Sequence, residues 1–152
     1  MTEKRFDALV FGGGSAGMAA AARIAAAGFS VAVLEREREL GGVLNQCIHS
    51  GFGLKVFRED LTGPEYAERF CERLTAAAGV QVYLETTAQE VGTAAGAEAP
   101  LTVFGYSRRH GILELSARAG VLAMGCRERN RGNVGIPARA PPGCSLPASP
   151  SA

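Results

Sequence analysis

The segment 6–17, Phe-Asp-Ala-Leu-Val-Phe-Gly-Gly-Gly-Ser-Ala-Gly, constrains this chain more than any other stretch. Residues 6–11 have the composition of a short buried strand. They run directly into a Gly-x-Gly-x-x-Gly turn at Gly12, Gly14 and Gly17, and the turn runs into residues 18–27, dense in alanine, the best helix former. Gly28 stands where a helix C-terminus favours glycine, and a second apolar strand, 30–34, stops at Glu35. Strand, turn, helix and strand thus follow one another within about thirty residues, with an acid eighteen residues beyond the last glycine, as a dinucleotide site requires. Gly12 permits the tight turn, Gly14 lets the backbone approach a pyrophosphate, and Gly17 lets the helix pack closely on the sheet. Gly13, Ser15 and Ala16 complete the loop at a helix N-terminus, whose unpaired N–H groups and dipole favour phosphate. Glu35 is placed to accept from the two hydroxyls of an adenosine ribose, and its charge would repel a 2′-phosphate. NAD and FAD are both compatible with this unit.

Composition narrows the remaining classes. The 152 residues can build one good core, and 16 basic against 15 acidic residues, net +1, give no reason to expect nucleic acid or a membrane surface as partner. Cys47, Cys71, Cys126 and Cys144 form no Cys-x-x-Cys pair and have no nearby pair of histidines, so neither zinc nor a disulfide framework is expected. No early apolar run reads as a signal peptide, and no window reaches the roughly 20 apolar residues of a membrane span. A reduced cytoplasmic protein without a metal site is the expectation.

Arg36 and the pair Gly41-Gly42 follow the acid, and at this point the sequence resembles the two-dinucleotide-binding-domain flavoproteins. In that family the first glycine unit holds FAD, and a Gly-Gly pair lies against the pyrophosphate. Residues 42–54 and 61–67 resemble one branch of it: FAD-dependent oxidoreductases related to the large subunits of hydrogen cyanide synthase and opine oxidase, including members found beside glycerol-3-phosphate dehydrogenases. The resemblance implies FAD here, NAD(P)H in the full-length family, and hydride transfer from nicotinamide to flavin before electrons pass to an acceptor. It also implies a second subunit or a glycerol-3-phosphate dehydrogenase-linked partner. Cys47 and His49 are the candidate catalytic residues, with Gln46 beside them. A redox dithiol would need a close second thiol, and the next cysteine, Cys71, falls on a predicted helix beside the apolar stripe Tyr66, Phe70 and Leu74, where it reads as a core thiol.

That helix is expected from Pro64, capped by Thr62 or Gly63, with Glu65 in its first turn and Gly79 closing it. Strands are expected at 80–84 and 86–91, an antiparallel pair at 101–104 and 112–117 around a polar hairpin, and a last buried strand at 118–125. Arg108, Arg109 and His110 read as solvated hairpin residues. The ending Ala123-Met124-Gly125 resembles the point where the family's chain leaves the FAD half-domain, which makes Gly125 a cofactor-binding candidate. Arg127, Arg129 and Arg131 read as a solvated loop. The expected fold is α/β: a Rossmann-type parallel sheet with an antiparallel β-meander, forming an incomplete FAD-binding domain over residues 1–137.

After Pro137 the composition changes. Residues 138–152 hold four of the seven prolines and no acid, and are expected to be disordered. The family leads one to expect Gly-Ser-Arg-Pro-Ala-Gly-Val-Phe-Thr-Ala-Gly here. A GC-rich coding string for it, with one G lost after the Pro137 codon, reads in the shifted frame as residues 138–148 of the tail. Three alternatives stand at this level: the FAD-binding part of an oxidoreductase, a non-catalytic nucleotide-binding fragment completed by another chain, or a single-domain NAD-binding enzyme using Cys47 and His49. Sequencing the gene is expected to show an intact second frame encoding a further Gly-x-Gly-x-x-Gly unit, and unrelated downstream sequence contradicts the frameshift.

Overall fold

Four parallel strands meet edge to edge so that their carboxyl ends share one rim. The computed structural model describes residues 2–93, 100–126 and Gly135. Strand β1 (Thr2–Phe11) leads through the glycine turn to helix α1 (Ser15–Ala26), then β2 (Val31–Leu34), a 3-10 turn (Gly42–Gln46), helix α2 (Gly63–Thr75) and β3 (Val80–Tyr83). Strands β4 (Thr86–Thr93), β5 (Leu101–Ser107) and β6 (Gly111–Leu122) follow. The sheet order is β3-β2-β1-β6-β5-β4, parallel from β3 to β6 and antiparallel from β6 to β4. The α/β class and the division into parallel and meander parts are as the sequence implies.

Both faces of the parallel strands are covered, which explains their unbroken apolar runs. Ala8, Val10, Val31 and Val33 pack under Met18 and Ala21 of α1 and Ala67 and Leu74 of α2. On the opposite face Leu9, Phe11, Ala32, Leu34 and Tyr83 meet Val103, Leu113, Leu115 and Ala117, so the meander curls back over the face the helices leave free. Phe6 joins this second core although strict alternation would pair it with Ala8. The N–H groups of Asp7 and Ala8 both donate to the Ser30 carbonyl, at 3.0 and 3.1 Å, and this local irregularity resets the alternation.

Several boundaries differ from the sequence reading. β1 begins at Thr2 because its first residues pair with β6, from Thr2 opposite Leu113 onward. The two strands expected at 112–117 and 118–125 are one: β6 leaves β5 at Ala117 but continues along β1 to Leu122, so its facing pattern changes without a break in the strand. Helix α1 starts at Ser15, and α2 ends at Thr75, four residues before Gly79. Thr62 is the cap of α2, in a reciprocal box with Glu65: Thr62 N–H and Oγ1 both donate to the carboxylate at 2.7 Å. Cys71 is half-buried on α2 and does not belong to the main core. Residues 127–134 and 136–152, with the three arginines and the proline-rich tail, lie outside the described residues. Among those described, no helix is long and apolar enough to cross a membrane.

Two carboxylates tie stability to pH. Hydrogen bonds from the Ser30 hydroxyl and backbone hold Asp7 below the ordinary carboxylate range, and those from Thr62 do the same for Glu65. A lowered folded pKa stabilises above the unfolded value and ceases to do so as pH falls through the folded one. Stability is therefore expected to drop below about pH 4, with Asp7→Asn and Glu65→Gln each flattening that acid limb in denaturant titrations. An acid limb identical in the variants contradicts the assignment. Thr62→Ala is expected to cost about 1 kcal/mol at neutral pH.

Candidate functional site: a glycine turn between two flanking segments

The carboxyl rim of the sheet is where ligands of open α/β folds bind, and the 12–17 turn occupies its centre. Gly12 leaves β1 at φ 105°, with its N–H on the Leu34 carbonyl at 2.8 Å. A side chain on Gly12 would meet the Ala123 carbonyl, and one on Gly17 would meet the Gly12 carbonyl, with Val10 Cγ1 at 3.4 Å behind it. The turn is thus closed on the sheet side with no space left. Gly14 differs: its backbone is extended, at φ −73° and ψ −174°, and a Cβ there meets nothing within 4 Å. Its open side belongs to the N-terminus of α1, where Gly14 is the cap residue. No side chain caps that terminus, no acid lies in the first turn, and Ser15 and Ala16 are exposed.

Two further segments flank the turn. On one side the Gly41 N–H donates to the Gly13 carbonyl at 2.9 Å, Gly14 and Gly41 form a parallel bridge, and a Cβ on Gly42 would approach Gly14 Cα at 3.2 Å. Gly41 and Gly42 both have positive φ, 120° and 58°. On the other side Ala123 continues β6, donating to the Phe11 carbonyl at 2.8 Å, and leads to exposed Gly125 at φ 70°. Gly41 and Gly42 therefore stand against Gly14, and the segment leading to Gly125 stands against Gly12.

Glu35 is buried beneath this turn, only 7% exposed. Its Oε2 accepts from the Gly13 N–H at 2.6 Å and its Oε1 from the Glu37 N–H at 2.9 Å. The sequence alone points Glu35 at a ribose; in the structure its carboxylate props the turn. Each carboxylate oxygen retains a second acceptor position, so the two roles are compatible. Arg36 points outward and pairs with Glu37 at 3.2 Å. Two residues of the site carry no sequence signal. The Asn45 amide donates to the Leu40 carbonyl at 2.9 Å and to Glu39 at 3.1 Å, which holds the Gly41 corner. The Leu40 side chain fills the space beside Gly13.

Cys47 and His49 leave the 3-10 turn on the next loop. Cys47 Sγ donates to the Val43 carbonyl at 3.3 Å. His49 Nδ1 lies 2.9 Å from the Ser50 carbonyl and so carries the proton, leaving Nε2 as the open nitrogen. The imidazole tilts over Phe52 at 5.3 Å between ring centroids. No hydrogen bond or ion pair joins Cys47 to His49 among the described residues. Burial, then Glu68 and Glu72, push the Cys71 thiol up, so it remains protonated at neutral pH. Arg108, Arg109 and His110 are exposed, as expected of a solvated hairpin; the two arginines also pair with Glu85, and His110 sets its ring edge-on to Tyr83 at 5.6 Å.

Residues 10–74 match the family model described as the NAD(P)-binding Rossmann-like domain. The chain is 38% identical over 64 residues to the 4,4'-diaponeurosporene oxygenase of Staphylococcus aureus, a match covering 42% of this chain and 13% of the oxygenase. Among solved structures it resembles L-proline dehydrogenase from P. horikoshii, with TM-score 0.68 and 27% identity over 82% of this chain and 23% of the dehydrogenase. It has the same fold as T. acidophilum thioredoxin reductase, with TM-score 0.68 and 20% identity over 84% of this chain and 38% of the reductase. The chain therefore spans about an eighth of the oxygenase and under two-fifths of either solved structure. Fold and glycine geometry together define a Rossmann-like α/β domain, matched by the family model over residues 10–74 and sharing its fold with these dehydrogenase and reductase structures.

The glycines make opposite predictions for stability. Gly17→Ala is expected to cost about 1–3 kcal/mol in urea unfolding, because its methyl must displace the Gly12 carbonyl. Gly14→Ala is expected to change stability by less than about 0.5 kcal/mol. Equal losses in the two variants contradict the geometry.

Proposed function

We propose that this chain binds FAD at the 12–17 turn and is the FAD-binding part of a flavin-dependent oxidoreductase that passes electrons between NAD(P)H and an acceptor. The observation that carries the reading is the empty space over Gly14, at an uncapped helix N-terminus bordered by the Gly41-Gly42 segment. A diphosphate entering there meets backbone N–H groups and a favourable dipole, with no Cβ in its path. In this reading Gly12, Gly13, Gly14, Ser15, Ala16 and Gly17 hold the diphosphate, and Gly41 and Gly42 close it from one side. Arg36 lies beside them, Gly125 borders the far side, and Glu35 accepts from the adenosine ribose.

FAD is preferred to a nicotinamide nucleotide in this site because the Gly41-Gly42 pair is bonded to the phosphate turn, the feature on which the flavoprotein resemblance rests. When bound, FAD supplies the hydride-accepting ring and the protein supplies orientation and electrostatics. The chain's own residues bind the diphosphate and ribose. Cys47 and His49 are proposed to border the flavin ring, with His49 Nε2 as the available proton acceptor.

A second reading has its own support. In it the chain is a non-catalytic nucleotide-binding fragment or subunit completed by a second chain; the chain spans 23% and 38% of the solved structures it resembles. Titrating purified protein with FAD distinguishes these. A yellow complex absorbing in the visible, with NAD(P)H oxidised in the presence of a dye acceptor, supports the enzyme. The same complex without turnover supports the fragment. Failure to retain FAD while binding NAD contradicts both. Glu35→Ala is expected to weaken FAD by about 1.5–3 kcal/mol, the worth of hydrogen bonds to a charged group. The same carboxylate is expected to make 2′-phospho-ADP a poorer competitor than ADP.

A further inference from the structure

Next to the Glu35 segment, whose carbonyl accepts from Thr86 N–H at 2.9 Å, three arginines from two segments converge on one carboxylate. Arg109 Nε lies 3.3 Å from Glu85 Oε2, while Arg38 Nε and Arg108 Nη1 lie 3.6 and 3.8 Å from Oε1. The carboxylate is only 17% exposed, whereas the three arginine side chains are 59–79% exposed. Glu85 sits at φ 49°, rare for a residue with a side chain, and its backbone is fixed: its N–H donates to Glu37 and its carbonyl accepts from Arg108. Three cations gathered on one anion leave two positive charges uncompensated on a rigid support.

This surface is ill suited to a compact phosphate. The nearby backbone donors of Glu85, Thr86 and Arg108 are all spent on carbonyls, so no cradle of N–H groups remains. It is well suited to something broader. Tyr106 and Ile112 stand directly opposite each other on β5 and β6 next to the arginine turn, 57% and 60% exposed. Farther along the same outer face Phe104 is flanked by Glu90 and Glu114, so the strip runs from cationic through apolar to acidic.

We propose that this face docks a partner protein through an acidic segment carrying an apolar anchor. The carboxylates meet Arg38, Arg108 and Arg109, and the anchor covers Tyr106 and Ile112. Tyrosine and arginine are the residue types that most often dominate protein interfaces. Glu85 acts as an internal counter-ion that holds the guanidiniums ready, and the acidic far end sets the direction in which the segment lies.

The test uses the intact chain and a fluorescein-labelled peptide, Glu-Glu-Asp-Phe-Glu-Glu, followed by anisotropy at low salt. Saturable binding is expected. Arg108→Gln/Arg109→Gln should weaken it about tenfold or more, and Arg38→Gln and Ile112→Ser should each weaken it several-fold, all with unchanged melting temperature. Replacing the peptide's Phe by Ser should have the same effect as Ile112→Ser. Absence of saturable binding overturns the proposal. So does binding that inorganic polyphosphate matches and that neither apolar substitution alters, which would make the patch a general polyanion surface.

Discussion

The structure depends on close approaches of backbone to backbone: the end of β6 leaves no room for a β-carbon at Gly12, and helix α1 is set so tightly against the end of β1 that Gly17 has none beside the Gly12 carbonyl. That contact fixes where the helix begins and therefore where its first-turn N–H groups lie. Everything else at the rim is arranged around it. Glu35 ties the Gly13 N–H from below, Gly41 pairs with the same loop from one side, and Ala123 abuts it from the other. The loop is held on its sheet-facing sides, whereas a Cβ on Gly14 would meet no atom of the described residues within 4 Å.

The sheet explains why such a loop can be held so firmly. β1 is buried on both faces, under α1 and α2 on one and the curled meander on the other, and it pairs in parallel with β2 and β6 at once. Its carboxyl end therefore cannot move independently of either neighbour. The helix layer is secured locally as well: α2 carries a reciprocal capping box, and the loop before it is pinned by the Phe52 and Leu61 backbone pair and by Tyr66 and Phe70 stacking with Phe57. Cys47 and His49 emerge from this supported segment, near the glycines in the chain and attached to the same 3-10 turn.

Local features were readable from residues alone, and long-range ones were not. The glycine spacing, the alanine-rich helix, the Thr62 to Glu65 box and the 108–110 hairpin all express short-range steric and hydrogen-bonding preferences. The continuity of β6 was hidden because its alternation changes where β5 ends and β1 alone remains as partner. The bond from the Gly13 N–H to Glu35 was hidden because Gly13 is 22 residues away and carries no side chain to advertise it. The arginine cluster shows the same limit: Arg108 and Arg109 read as a solvated turn until the ladder brings them to Glu85 and to Arg38. Asn45 gave no signal, since its amide matters only once the Gly41 corner exists.

The central claim is that a dinucleotide's diphosphate lies on the open side of Gly14 and is held by the first turn of α1. Amide hydrogen exchange resolved by residue, with and without FAD, tests it most directly. The account predicts that the Gly13 amide is protected in both states by Glu35, whereas Ser15 and Ala16 exchange freely without FAD and become protected with it. Protection appearing elsewhere on the chain while Ser15 and Ala16 remain unprotected would contradict it.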